Sequence, residues 1–159
     1  MEQKSVSVNY RVYRWDELPV EDQQLIALAK EQTQKSYAPY SHFAVGAALR
    51  LENGRTFAGS NQENAAYPSG LCAERTVMFF ANAQEPEIPV TDLAIAAYAN
   101  GDFTHEAVAP CGACRQVLLE TEVRFATPVR ILLYGREAIF VLDSVKELLP
   151  LCFTKESMY

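Results

Sequence analysis

Three cysteines constrain this chain more than any other residues in it. Cys72 stands directly before Ala73-Glu74, and the other two lie in the stretch Pro110-Cys111-Gly112-Ala113-Cys114. Taken alone, the C-x-x-C admits three readings: a metal knuckle, a redox pair, or two small residues opening a helix. Cys72 narrows them, because it too falls at the start of a predicted helix. The positive ends of two helix dipoles favour thiolates, which are the metal-binding form. Zn²⁺ accepts three of them in a tetrahedral shell. The zinc reading therefore requires a fold that brings two distant helix N-termini to one point.

The fourth coordination position separates a structural from a catalytic metal. Structural zinc is closed by a fourth Cys or His, whereas catalytic zinc leaves that position to water. The remaining candidates are Cys152, His42 and His105. None is paired in a knuckle, and Cys152, beside Phe153, reads as a buried small hydrophobe. An open site needs a group that moves protons, and Glu74 is placed for it. Two residues along a helix turn the side chain by roughly 200°, so Glu74 need not compete with Cys72 for the metal. Its bland reading is a first-turn glutamate that complements the helix dipole.

The patterning around these residues predicts an α/β domain. The segment 15–39, with Leu18, Leu25, Ile26, Leu28 and Ala29 at helical spacing, predicts a helix ending before Pro39. FAVGAALRL reads as a strand. Asn53-Gly54 reads as a type I′ hairpin turn into a second strand that runs toward Ser60. SNQENAAYPSG is loop-like, CAERTVMFFANA helical, VTDLAIAAYAN a buried strand and FTHEAVAP a loop. CGACRQVLLETE is helical, PVRILLYGRE and IFVLD are strands, and SVKELLP is a short helix. This order predicts one domain over 1–159, with three α/β/α layers around a mixed five-stranded sheet.

Composition excludes several classes. The chain has 159 residues, with 20 acids against 14 bases and a net charge of −6. No basic cluster offers the positive footprint a polynucleotide binder presents to phosphates, so the expected partner is a small molecule and not nucleic acid. No apolar run approaches the ~18 residues of a membrane span. The N-terminal MEQKSVSVNYRVYRW lacks the apolar stretch of a secretory signal. The expected location is cytoplasmic, where thiols stay reduced and read as ligands before they read as disulfides.

Cys72-Ala73-Glu74 followed by Pro110-Cys111-Gly112-Ala113-Cys114 resembles the zinc-dependent cytidine deaminases, whose related H-x-E…P-C-x-x-C signature carries a known mechanism. Cysteine in place of that histidine resembles the free-nucleoside, homotetrameric branch. PYSHFAVGAAL (39–49), NQENAAYPSGLCAERT (61–76), PCGACRQV (110–117) and ELLP (147–150) look like family blocks in family order, across most of the chain. Two departures are Ala44, where the family often has proline, and Cys152, where small polar residues are common.

The resemblance implies hydrolytic deamination of cytidine and 2′-deoxycytidine, a step of pyrimidine salvage, with one Zn²⁺ per subunit on Cys72, Cys111 and Cys114. Zinc lowers the pKa of its water, Glu74 takes the proton, and the hydroxide attacks C4. Glu74 then passes protons to N3 and to the departing amine. Arg75 is implied to hydrogen-bond the thiolates, while Arg115 stands equally as a helix-surface residue. Asn61 and Glu63 are implied to hold the ribose hydroxyl, and Phe43 to stack on the base. Ala73 is implied to contact the substrate, Tyr67 to sit near the site, and Phe153 to be offered from a neighbouring subunit of a homotetramer with shared active sites. Two other readings stay open: a deaminase of a cytosine-nucleoside antibiotic of the blasticidin type, and a non-catalytic zinc or nucleoside-binding module. The Asn61/Glu63 pair speaks for ordinary cytidine, and the intact Glu74 speaks against the module.

Overall fold

The computed structural model describes residues 1–158. Its strands are β1 (Arg11–Tyr13), β2 (Ala44–Leu51), β3 (Thr56–Ser60), β4 (Val90–Ala99), β5 (Asp102–Phe103), β6 (Arg130–Tyr134) and β7 (Ile139–Leu142). Its α-helices are α1 (Val20–Gln32), α2 (Ala73–Gln84) and α3 (Gly112–Phe125). The strands form one mixed sheet in the order β1-β7-β6-β4-β2-β3, with β5 paired to β4. Among the strand pairs of the described residues, only β4–β6 is parallel. Parallel neighbours need a crossover, and α3 lies on it. No helix is long and apolar enough to cross a membrane among the described residues.

The central strands read as nearly unbroken apolar runs because both faces of the sheet are covered. Along β2, Ala47, Leu49 and Leu51 face a core shared with Val77, Met78 and Ala81 of α2 and Leu118 and Leu119 of α3. Ala48 faces the other way, with Ala94, Ala96 and Leu132, into a core built on Leu25, Ile26 and Ala29 of α1. One helix on one face and two on the other give the expected α/β/α layering. The two helices that begin with cysteines lie on the same side.

Three details depart from the sequence reading. The sheet has seven strands, not five, because the short exposed β1 and the two-residue β5 carry too little apolar alternation to register as strands. The first predicted helix is split. Pro19 has no N–H and forces Leu18 into extended backbone, so a 3-10 turn at Trp15–Glu17 precedes α1, and a second at Thr33–Lys35 follows it. The type I′ turn is absent at Asn53-Gly54. There only Gly54 has positive φ, at 82°, while Gly54 N donates to Leu51 O and Leu51 N to Arg55 O, which makes a three-residue loop with a glycine bulge. The other Asn-Gly pair, Asn100-Gly101, forms the primed turn, with φ of 55° and 86° between β4 and β5.

Candidate metal centre and substrate cavity

Cys72 is the N-cap residue of α2, and Cys111 is the N-cap residue of α3. Neither side chain caps its helix, so both sulfurs are free to point elsewhere. They converge with Cys114, one turn into α3. The Sγ–Sγ distances are 3.8 Å for Cys72–Cys111 and 3.4 Å for Cys111–Cys114, and all three sulfurs lie within 4.8 Å of one another. These distances are far beyond a disulfide bond of about 2.05 Å. A tetrahedral ion with zinc–sulfur bonds of about 2.3 Å spaces its sulfur ligands roughly 3.8 Å apart, so the triad can hold one metal ion with little adjustment.

The protonation pattern favours a cation in the same place. A hydrogen bond from the Cys114 thiol, with help from the Arg75 guanidinium, brings Cys72 down to about 5. Its bond to Cys72 and its burial push Cys114 the other way. Cys72 and Cys114 are therefore pushed in opposite directions, and a bound dication would let both be thiolates at once. Among the described residues no fourth His, Cys or carboxylate joins the cluster. His105 Nδ1 pairs with Glu137 at 3.2 Å, and Cys152 lines a separate cavity beside Lys146 and Thr154.

Glu74 enters α2 two residues after Cys72 and is only 4 % exposed. Burial pushes its carboxyl above the ordinary range, and the charge on Cys72 adds to that push. Arg75 Nη2 lies 3.9 Å from Cys72 Sγ, and its buried Nε finds no acceptor. Arg115 has a different task. Its Nε donates to Pro110 O at 2.8 Å and its Nη1 to Leu148 O at 2.6 Å, tying the C-x-x-C turn to the 3-10 helix Val145–Leu148.

A cavity of about 460 Å³ opens beside the cluster, and Cys72 and Arg75 form one of its walls. Asn61, Glu63 and Tyr67 form another, so three of the sequence-selected substrate residues and the metal corner share one space. Asn61 is largely spent on the protein: Oδ1 accepts from Val45 N at 2.8 Å and from Ser36 Oγ, and Nδ2 donates to Phe43 O at 2.9 Å. Phe43 and the fully buried Ala73 are off the cavity wall, and Phe153, 59 % exposed, lies outside the cavity of its own chain. Tyr40 and Ser41 do line it. Sequence reasoning left both unassigned although they stand in the quoted PYSHF block, since no spacing rule links position 41 to position 63.

A mixed sheet sandwiched by helices, with three sulfurs gathered at two helix N-termini, defines an α/β protein with a candidate metal site at one end of its helices. The family model described as the cytidine and deoxycytidylate deaminase zinc-binding region matches residues 19–127. A cytidine deaminase of Halalkalibacterium halodurans is 40 % identical over 136 residues, covering 86 % of this chain and 96 % of that protein. The crystal structure of cytidine deaminase from Burkholderia pseudomallei superposes with a TM-score of 0.71 at 40 % identity, covering 82 % of this chain and 97 % of the other. That of the Mycobacterium tuberculosis cytidine deaminase gives 0.67 at 32 % identity, covering 86 % and 99 %. The chain belongs to the cytidine and deoxycytidylate deaminase family.

Proposed function

We propose that this chain, acting as one catalytic domain over 1–159, hydrolyses the C4 amine of cytidine and 2′-deoxycytidine to give uridine, 2′-deoxyuridine and ammonia. The observation that carries the reading is the convergence of Cys72, Cys111 and Cys114 beside the buried carboxylate of Glu74, at the edge of a nucleoside-sized cavity. The three thiolates hold one zinc ion. When bound, zinc supplies a Lewis acid that makes water acidic near neutral pH.

The remaining steps belong to the chain's own side chains. Glu74 accepts a proton from the attacking water on a carboxylate oxygen. Burial raises its pKa, which suits a carboxyl that gives this first water proton to N3, then takes the second proton from the added hydroxyl and gives it to the leaving amine. Arg75 offsets the excess negative charge of three thiolates by its approach to Cys72 Sγ. Glu63 accepts a hydrogen bond from a sugar hydroxyl, Asn61 braces the wall beside it, and Tyr67 closes the outer rim. Phe43, whose carbonyl oxygen accepts from Asn61, and the fully buried Ala73 support the wall from behind instead of touching the base.

The finer assembly is a cytoplasmic homotetramer in which Phe153 completes a neighbour's site. Its exposure, on a tail anchored by Gln116 Nε2 donating to Phe153 O at 3.0 Å, supports that role. The test follows loss of cytidine absorbance by the zinc-loaded protein. A strong chelator should abolish it, and Glu74→Gln should keep the metal yet lose ~10²–10⁴-fold or more in turnover. A Gln variant within tenfold of the parent would end the proton-transfer role.

A further inference from the structure

Glu63 is read above as the acceptor of a sugar hydroxyl, and its own surroundings carry that reading further. The loop before β2 wraps its carboxylate. Tyr40 N donates to Oε2 at 2.9 Å, Ser41 N donates to the same oxygen at 3.3 Å, and Ser41 Oγ donates to Oε1. His42 sits in the left-handed region at φ 55°, and its N–H returns to Ala38 O at 3.1 Å. That turn aims two successive amides at one oxygen, an arrangement suited to holding an anion.

The Ser41 hydroxyl has little rotational freedom. Phe43 N donates to its Oγ at 3.1 Å, which directs the hydroxyl proton to Glu63. An ionised carboxylate offers about four lone-pair directions. Three are taken by this loop, and one is left for the cavity. The same donors, the Ser41 hydroxyl first and the Tyr40 N–H second, hold the Glu63 carboxyl below its ordinary range.

We propose that Ser41 is a positioning residue for the sugar: by clamping Glu63 it fixes one rotamer and leaves one acceptor aimed at one hydroxyl of the nucleoside. This rests on the sugar-binding reading of Glu63. The clamp links residues 22 positions apart in sequence, and it acts on binding, not on the reacting carbon. Ser41 itself is exposed at the loop surface, so its replacement leaves both cores untouched.

The experiment uses zinc-loaded protein and steady-state kinetics with cytidine. Ser41→Ala should raise KM by about three- to tenfold with kcat within about twofold, the pattern of lost uniform binding. Competitive inhibition by uridine should weaken by the same factor, while inhibition by uracil, which has no sugar, changes by less than about twofold. Ser41→Thr restores the hydroxyl and should recover most of the loss. A fall in kcat at unchanged KM, parallel losses for uridine and uracil, or a Thr variant as impaired as Ala would overturn the proposal. Glu63→Gln separates the two levels. If it raises KM while Ser41→Ala does not, the clamp alone fails; if it leaves KM unchanged, the sugar-binding reading fails with it.

Discussion

Glu122, in the second half of α3, offers a sharp test of how the tail is held to the domain. Its side chain is buried, with the residue 5 % exposed, yet it touches no cation. Oε2 accepts from Val129 N at 3.0 Å and from Val145 N at 2.9 Å, and Oε1 accepts from Ser144 Oγ at 2.7 Å. One carboxylate thus joins α3 to the entry of β6 and to the 3-10 helix that precedes the tail. Glu122→Ala strands two backbone N–H groups away from water. Each buried unpaired donor costs about 1–3 kcal/mol, so a loss near 4 kcal/mol is expected. For a chain of this size that is a fall in melting temperature of roughly 8–16 °C. Glu122→Gln keeps one acceptor oxygen, which can still serve both N–H groups while its amide donates to Ser144 Oγ, so it should lose well under half as much. Thermal unfolding by circular dichroism measures both, and zinc content and turnover below the transition should be unchanged. A shift under about 2 °C for the Ala variant, or equal losses for Ala and Gln, would refute the assignment of these bonds as the anchor.

Replacing Cys72, Cys111 or Cys114 by Ala should remove zinc and turnover together; metal analysis that finds one zinc per chain with full activity would reject that ligand. Gly46→Ala should destabilise by about 3 kcal/mol or more, because a Cβ there would lie 2.0 Å from Ala29 O of α1; an unchanged unfolding midpoint in urea would show that α1 can lift freely off the sheet. Phe153→Ala should lower turnover with zinc retained, and mixing it with Glu74→Gln chains should restore composite sites after subunit exchange; no recovery in demonstrated hybrids would place each site within one chain.

The parts of this protein that were legible in the sequence are those whose physics is local. Cys72 and Cys111 announce themselves because each directly precedes a predicted helix, and helix N-termini favour thiolates. The core strands are legible because their apolar runs are long and bounded. What escaped depended on partners far along the chain. β1 exists because Arg11–Tyr13 completes the edge of β7, a pairing no local rule predicts. The two Asn-Gly pairs carry the same turn signal but resolve differently, since Ala99 and Asp102 pair across a two-residue loop while Leu51 closes on Arg55. Arg115 stood evenly between a thiolate contact and a helix-surface residue, and only the position of Pro110 O and Leu148 O commits it to backbone carbonyls. Ser41 is the functional counterpart: a small polar residue whose meaning appears only beside Glu63.

The site divides along the same line. Its metal half is built from the first turns of α2 and α3, which rest on the rigid core below them through Val77, Met78, Leu118 and Leu119. The half proposed to hold the sugar is built from loops, residues 40–43 and 61–63, held by hydrogen bonds rather than by burial. Asn61 joins the loops to the sheet, since its backbone N–H bonds to Val45 O while its side chain holds Val45 N and Phe43 O. Cys72, a member of the sulfur cluster, and Arg75, whose Nη2 lies 3.9 Å from its sulfur, are also on the cavity wall. On the proposed function, a core on one side and a hydrogen-bonded loop on the other would fix the reacting ring and the sugar by different means. Substitutions in the loops should therefore shift the choice of nucleoside with the metal retained, whereas substitutions under α2 should disturb metal and substrate together.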